Sequence, residues 1–485
     1  MGDILEPGGW RIRASLTIAD QEPRSMFDPA TYQSRRTILA QAMDGIGLFP
    51  ANPPSPMNYA ANQYGYVQES CFAYYFGIPQ PFLAGVIDFD SGDVAIFGDE
   101  PTLDDLIWLG SATPLAEWAS RSGAGSVFRY AELPEWLKKN RRGRAVHYTP
   151  PFRGTTAIQI SEWLGIPVAD LARHAPEPLI RAIVAQREIK SAEEIAEMRS
   201  ALSVTAEMHA TAMRLSRAGV MEHEISGAME GVARAADLTL AYPVIFSGLG
   251  EILHNTMHDR CLAAGDLVVN DSAAASRLGY ASDITRTLPI GGRFDAKQRV
   301  CYELVLSAQK AAIDACGAGT HYLSVHKLAA RVMAEGLIAE GLFRGDPEAI
   351  VETGAYALCF PHGVGHQIGL DVHDMETLGE DLVGYDEAIK RSDLFGLQNL
   401  RMAKPLKSGM VVTVEPGLYF IPLLIERWES EGRYRDLINY EKMRSFLGVH
   451  GIRIEDDVLV TNGSPRVLGP GIPKEIGEIE AALSA

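Results

Sequence analysis

The feature that most limits what this chain can fold into is a set of carboxylates placed inside apolar, strand-like runs. Asp271 ends LVVND, Asp283 sits in YASDITRTL, Glu415 in MVVTVEPGLYF and Glu455 in GIRIEDDVLV. Each run has the β-branched, alternating character of a strand. Two like charges about 4 Å apart repel by roughly 4 kcal/mol at an effective dielectric of 20. Taken singly, each carboxylate could be exposed or salt-bridged, with Arg286 near Asp283 and Arg453 beside Glu455 as partners. Gathered together they require cations. Two divalent ions balance four carboxylates, whereas one leaves the site two charges short, so the count favours a dinuclear centre.

Strand alternation puts Leu267, Val269 and Asp271 on one face, and Ala281, Asp283 and Thr285 likewise. The turn-like SRLG between the two runs is a hairpin signal. Paired across that turn, Asp271 and Asp283 become near neighbours, and like charges across a ladder destabilise it. A counter-charge would explain the arrangement. The same parity groups Glu415 with Val411 and Thr413, and Glu455 with Arg453.

A second dense stretch, Phe360 to Asp374 (FPHGVGHQIGLDVHD), carries His362, His366 and His373. Its glycines Gly363, Gly365 and Gly369 suit a chain that passes close to something else. The alternation of Ile368, Leu370 and Val372 predicts a short strand. One neutral imidazole from His366, added to the four carboxylates, makes a mostly oxygen site. Such a set suits Mn, Fe, Co or Zn better than a thiolate-selecting site does.

The rest of the chain sets bounds. At 485 residues it has room for about three domains or two larger ones. A hydrophobic fraction of 47% and a charged fraction of 22% are those of an ordinary globular protein. The formal charge of −18 argues against nucleic acid or an anionic membrane as partner. The basic run KKNRRGR (Lys138 to Arg144) reads as a solvated turn. Neither a membrane span nor a leader peptide is recognisable, so a cytoplasmic protein is expected. Cys71, Cys261, Cys301, Cys316 and Cys359 are scattered without a CxxC and are read as reduced thiols.

Along the chain, Phe27 to about Trp136 alternates a charged helix (Tyr32 to Met43) with strand-like runs such as LAGVIDFD and GDVAIFGD. Thr149 to Pro178, rich in Pro and Gly, reads as an inter-domain connection, and the boundary is placed near 180. The next unit opens with a capping-box signature, Ser191 with Glu194. Ile195, Met198, Leu202, Thr205, Met208 and Ala212 then recur at helical spacing. Further helices are expected at His223 to Ala235, Gln298 to Ala315 and Tyr322 to Phe343, with a strand at YPVIFSG. The fold class is therefore α/β (α+β), in two domains, 1–180 and 181–485.

In order, NDSAAASRLGYASDITRT, FPHGVGHQIGLDVHD, GMVVTVEPGLYF and GIRIEDDVLV resemble the metal-site motifs of the pita-bread metallopeptidases. The resemblance is to the Xaa-Pro dipeptidase (prolidase) and Xaa-Pro aminopeptidase branch. YVQESCFAYYFGIPQPFLAGVIDFDSGD is similar to the non-catalytic N-terminal domain of that branch, and KSAEEIAEMR to the opening helix of its catalytic domain. The resemblance implies that Asp271 binds one metal, that Asp283 and Glu455 bridge two, and that His366 and Glu415 hold the second. Glu415 would also shuttle the proton. His254, His362 and His373 match outer histidines that orient substrate or stabilise the tetrahedral intermediate. Asp271 and Asp283 lie one residue further apart than is commonest in the family, so a register shift would turn Asp271 away from the metals.

The implied cofactors are two divalent ions, Mn first, with Co or Zn as alternatives. The implied substrate is a proline-containing di- or oligopeptide, and the implied assembly a homodimer. GLQNLRMAKPLKSGMVVTVEPGLYFI looks prolidase-like, and Arg401 matches the arginine that receives a dipeptide's free carboxylate. A Xaa-Pro dipeptidase is the first expectation and an Xaa-Pro aminopeptidase the alternative. A hydrolase of another amide or an organophosphate, or a non-catalytic binding member of the fold, ranks below both.

Overall fold

Asp28 opens the first helix, α1 (Pro29–Ala42), by accepting the Ala30 amide, with proline at a position whose missing N–H costs nothing. The computed structural model describes residues 26–110 and 113–484. Beyond α1 the N-terminal half contains β1 (Ile46–Pro50), α2 (Ser70–Phe76), β2 (Ala84–Asp88), β3 (Val94–Phe97) and α3 (Leu103–Leu109). It continues with α4 (Leu115–Ser122), β4 (Ser126–Phe128), α5 (Leu133–Arg141) and β5 (Val146–Tyr148). The strands form one sheet in the order β4-β3-β2-β1-β5, parallel at both edges and antiparallel in the middle. All of β1 is buried because both its faces are covered: Phe49 packs with Phe72 and Tyr75, and Leu48 with Val86 and Leu133. The basic run is a helix end followed by the expected exposed turn at Arg142 and Gly143. Lys138, Lys139 and Arg141 occupy the last turn of α5, where the helix dipole favours cations, and Arg144 pairs with Asp88 and Asp90.

The expected connection from Thr149 to Pro178 is instead helical. It folds as α6 (Gly154–Leu164), α7 (Val168–His174) and the start of α8 (Glu177–Arg187). Three of its five prolines sit where proline starts helices: Pro167 and Pro176 precede α7 and α8, and Pro178 lies in the first turn of α8, while Pro150 and Pro151 lie in irregular chain before α6. Residue 180 falls inside α8. Leu179, Ile180, Ile183 and Val184 of that helix pack with Phe72 and Tyr75 on one side and with Met375, Leu378 and Val383 of the C-terminal half on the other.

The C-terminal half begins with α9 (Ala192–Leu215), which carries the Ser191/Glu194 capping box and buries Met198, Leu202, Thr205, Met208 and Ala212, while Ile195 is only partly covered. There follow α10 (Glu222–Ala235), β6 (Thr239–Leu240), β7 (Ile245–Ser247), β8 (Leu267–Asp271), β9 (Ala274–Ala275) and β10 (Thr285–Pro289). Next come α11 (Ala296–Ala315), α12 (Tyr322–Ala339), α13 (Pro347–Thr353) and α14 (Glu380–Gly384). The last strands needed for the site are β11 (Val411–Val414), β12 (Gly417–Tyr419), β13 (Gly451–Arg453) and β14 (Asp456–Leu459). All five cysteines are free thiols, four of them buried. No helix among the described residues is long and apolar enough to cross a membrane.

The histidine stretch departs from the expected strand. Ile368 is buried and bonds the Val411 carbonyl, but Leu370 and Val372 are only half-buried and the chain bends at Gly369. The bend carries Asp371 and Asp374 to the domain interface. There Arg187 of α8 holds both carboxylates at 3.0 and 2.7 Å, Lys190 holds Asp374 at 2.9 Å, and Ser70 of α2 bonds Asp371. The glycines are places of close approach, as expected. A Cβ on Gly365 would lie 2.2 Å from the Thr413 carbonyl oxygen, and one on Gly369 would lie 2.5 Å from Asp374 Oδ2.

Arg187, Lys190 and Asp374 are almost fully enclosed, so removing this carboxylate leaves Lys190 without its close counter-charge and Arg187 with Asp371 alone. Asp374→Ala is expected to cost about 3–5 kcal/mol. A clear fall in melting temperature, read by circular dichroism, would bear this out; an unchanged melt would show that the network contributes little.

Candidate metal centre

The carboxylate-bearing runs are broken at their carboxylates. Val414 of β11 pairs with Asp456 of β14, and Gly417 of β12 pairs with Arg453 of β13. These two antiparallel pairings share one register, so Glu415 and Glu455 would stand directly opposite each other in the gap. Like charges in that position oppose pairing, and Pro416 beside them has no N–H to give to a ladder. The strands therefore part there, and both side chains are free to turn into one site. The parity expected from sequence survives: Thr413 Oγ1 lies 3.5 Å from Glu415 Oε1, and the Arg453 guanidinium enters the same region as Glu455.

Asp271 ends β8 opposite Thr285 of β10, with the SRLG turn beyond: the Ser276 amide bonds the Tyr280 carbonyl and the Gly279 amide bonds the Ser276 carbonyl. The longer spacing to Asp283 is absorbed between the strands, and Asp271 does not turn away. The Tyr242 hydroxyl lies 2.6 Å from Oδ1 of both Asp271 and Asp283. The counter-charge that the hairpin required is Arg453, whose Nη2 is 2.6 Å from Asp271 Oδ2. Arg286 does not serve Asp283. It runs to Asp456 at 2.7 Å and to surrounding carbonyls.

Asp283, His366 and Glu455 each present a ligand atom, and these atoms lie within 4.8 Å of one another. His366 Nδ1 is 3.0 Å from the Gln367 carbonyl, which fixes the proton there and leaves Nε2 facing Asp283 and Glu415, each at 3.5 Å. Thr285 Oγ1 donates to Glu455 Oε2 at 2.7 Å, but Glu455 Oε1 is buried with no hydrogen-bond partner. An orphaned carboxylate oxygen inside a cluster of acids is what a cation site leaves when side chains alone are counted. These residues fit divalent metal ions: four carboxylates, one imidazole nitrogen and an unsatisfied oxygen.

Electrostatics agree with the geometry. Burial, then repulsion from Asp283 and Glu415, pushes Glu455 well above the usual carboxylate range. Burial pushes Glu415 up to about 7, against attraction from His366 and Arg453. Asp271 is raised by burial although Arg453 opposes the shift. For His366, burial acts downward, but Asp283 and Glu415 outweigh it and the imidazole is raised.

The outer residues line the approach. His373 packs its ring edge-on to His366 at 4.4 Å and bonds Glu376 Oε2 through Nδ1 at 2.7 Å. His362 Nε2 is 3.0 Å from the Tyr419 hydroxyl, which in turn accepts from Arg453 Nη1 at 2.8 Å, so a hydrogen-bonded chain runs from His362 to Asp271. Burial, then Arg453, lowers the His362 imidazole to about 3. His254 sits on an exposed turn, close enough for its charge to be felt at His362. Arg401 is in the cleft beside His366, His373 and Gln367, paired with Glu376 at 2.8 Å and more weakly with Glu380 at 3.5 Å. Sequence reasoning named Arg453 as a partner beside Glu455 but missed its pairing with Asp271, and it missed Tyr242, Tyr419 and Glu376. Tyr242 and Tyr419 carry no local signal, whereas the counter-charge sought for Asp271 and Asp283 was already in view as Arg453.

A buried, oxygen-rich centre with one imidazole, open to a cleft, defines the class as metal-dependent enzymes. The chain belongs to metallopeptidase family M24, whose model matches residues 196–462, and it is a metallopeptidase; residues 32–148 match the aminopeptidase P N-terminal domain. The human Xaa-Pro dipeptidase is 30% identical over 431 residues, covering 86% of this chain and 84% of that protein. The Escherichia coli Xaa-Pro aminopeptidase is 30% identical over 467 residues, covering 94% and 97%. Among solved structures, Pseudomonas aeruginosa aminopeptidase PepP superposes with a TM-score of 0.78 at 29% identity, covering 95% of this chain and 98% of that one. The two-domain architecture expected from the motifs is the one found.

Two outcomes follow. Glu455→Gln removes a buried like charge that only a cation offsets, so the gap in melting temperature between metal-loaded and chelator-treated protein should collapse, with metal content by elemental analysis falling below that of the wild type. Retention of both would exclude Glu455 as a ligand. Asp456 is pushed up by burial, but Arg286 and Lys474 outweigh this and hold it at about 2. Its folded value lies below the usual one of about 3.8, so its contribution is complete above pH 4 and is lost as pH falls toward 2. Between pH 4 and 2 the melting temperature of Asp456→Asn should fall less steeply than that of the wild type.

Proposed function

We propose that this chain is a dinuclear metal-dependent peptidase that hydrolyses the Xaa-Pro bond, with dipeptides as first choice of substrate. The observation that carries this reading is the convergence of Asp271, Asp283, His366, Glu415 and Glu455 beside a cleft whose lining holds one arginine, Arg401, and no lysine. The names of relatives support the substrate class: one is an Xaa-Pro dipeptidase, another an Xaa-Pro aminopeptidase. The oxygen-rich set with a single imidazole fits Mn first, with Co or Zn as alternatives. Bound there, two such ions supply a water acidified to near neutral pH and polarisation of the scissile carbonyl.

The chain's own residues supply the rest. Asp271, Asp283, His366, Glu415 and Glu455 would hold the ions. Glu415 would also take the proton of the attacking water on its carboxylate and return it to the prolyl nitrogen. The prolyl bond has no N–H, so a site that recognises an extended strand through that group cannot read it. His362 and His373 stand beside the cluster, and His254 on the exposed turn, where a substrate carbonyl or carboxylate would lie. Arg401 offers a planar donor fork for the free carboxylate of a dipeptide. A homodimer is part of this proposal, supported by α3, where Leu103, Leu106, Ile107, Trp108 and Leu109 are all exposed.

A second reading, an Xaa-Pro aminopeptidase acting on longer peptides, is favoured by one observation: Arg401 already faces two carboxylates, Glu376 and Glu380. The deciding assay is proline release from Gly-Pro, against cleavage of a longer Xaa-Pro-Xaa peptide, by protein stripped of metal and reloaded with Mn, Co or Zn. Activity on Gly-Pro alone, falling at least tenfold in Arg401→Ala, establishes the dipeptidase. Cleavage of the longer peptide establishes the aminopeptidase, and cleavage of neither overturns the proposal.

A further inference from the structure

We propose that Glu376 is a built-in carboxylate that competes with substrate for Arg401, and so sets how strongly the enzyme discriminates between short peptides with a free carboxylate and those without one. This rests on the reading of the cleft as the substrate site of an Xaa-Pro peptidase. Glu376 Oε2 lies 2.8 Å from Arg401 Nη1, and the same oxygen lies 2.7 Å from His373 Nδ1. The residue thus links the cleft's arginine to a histidine whose ring rests on His366. Arg401 and Glu376 remain about a third and two-fifths exposed, so an incoming carboxylate can reach the guanidinium, and at Nη1 it meets Glu376, with Glu380 further off at 3.5 Å.

The placement of Glu376 is built into the backbone. Met375 takes a left-handed conformation, φ 64, with its side chain fully buried in the cluster that joins the two halves. That conformation is costly for a non-glycine residue and persists where packing enforces it. It turns the next residue back toward the loop, and the Glu376 amide bonds the His373 carbonyl at 3.2 Å. Glu376 is also held ionised. Its hydrogen bond with His373 first, and the Arg401 charge after it, keep the carboxyl at about 2. A second carboxylate at Arg401 must either displace Glu376 or sit beside a like charge, and in both cases it binds more weakly.

The test separates charge from positioning. Glu376→Gln keeps an oxygen to accept from His373 Nδ1 but removes the negative charge. N-acetylproline and its amide differ only in the free carboxylate, and calorimetric titration of both into the metal-loaded protein needs no turnover. In Glu376→Gln the preference for acid over amide is expected to rise about tenfold, the effect of removing one nearby like charge. Adding Arg401→Met is expected to abolish the gain. The KM ratio of an amidated Gly-Pro to free Gly-Pro should rise in parallel. An unchanged preference, a gain that survives loss of Arg401, or an equal change for acid and amide overturns the proposal. If the wild type cleaves neither peptide, the peptidase reading fails, while the titration still decides whether Glu376 guards Arg401.

Discussion

Four carboxylates held together inside the protein, with one arginine among them, are the constraint around which the catalytic half is arranged. Glu415 and Glu455 fall opposite each other in a shared register, and the ladder between β11–β12 and β13–β14 opens where they meet. At an effective dielectric of 20 each close pair costs about 4 kcal/mol, so the broken hydrogen bonds are the smaller loss. Arg453 offsets one charge by reaching Asp271 from the neighbouring strand pair. Three remain, and Glu455 Oε1 is buried among them with no hydrogen-bond partner, so the residual repulsion calls for cations. With Arg453 counted, two divalent ions leave the cluster one positive charge in excess, which suits a centre that must also hold an anion.

The imidazoles depend on a second constraint at some distance from the first. The histidine loop is drawn toward the domain interface by Arg187 at the end of α8 and Lys190 just beyond it, which enclose Asp374. Asp371 is held from the other side by Ser70 of the N-terminal half. His366 and His373 lie between these anchors and the sheet, where Gly365 runs against the Thr413 carbonyl too closely for any side chain. The N-terminal half therefore acts on the site through buried ion pairs. Such pairs add little net stability but penalise alternative placements of a loop.

What could be read from the sequence follows from the range of each interaction. The capping box at Ser191 and the stripe of α9 are local, and the structure has both. The carboxylates were visible as charges out of place in apolar strands, because burial and charge conflict wherever the chain later folds. The strand expected at Ile368 to Val372 does not form, since alternation alone cannot register that Asp371 and Asp374 are pulled to cations nearly two hundred residues away in the chain. Thr149 to Pro178 was misread because prolines that start helices look in sequence like prolines that interrupt them. Tyr242 carried no signal, being an ordinary tyrosine until the fold sets its hydroxyl between Asp271 and Asp283.

The division between chemistry and specificity has a structural basis. Asp271, Glu415 and Glu455 lie at strand ends or strand breaks, where pairing on either side fixes them, and a one-residue slip would turn them away. Arg401, Glu376 and Glu380 lie on short helices and irregular chain between the histidine loop and β11, where insertion or substitution disturbs no register. A change in the cleft wall therefore disturbs the carboxylate cluster least. Relatives at the same 30% identity bear the names of a dipeptidase and of an aminopeptidase. The cation of that wall, Arg401, is already shared in this chain between Glu376 and Glu380.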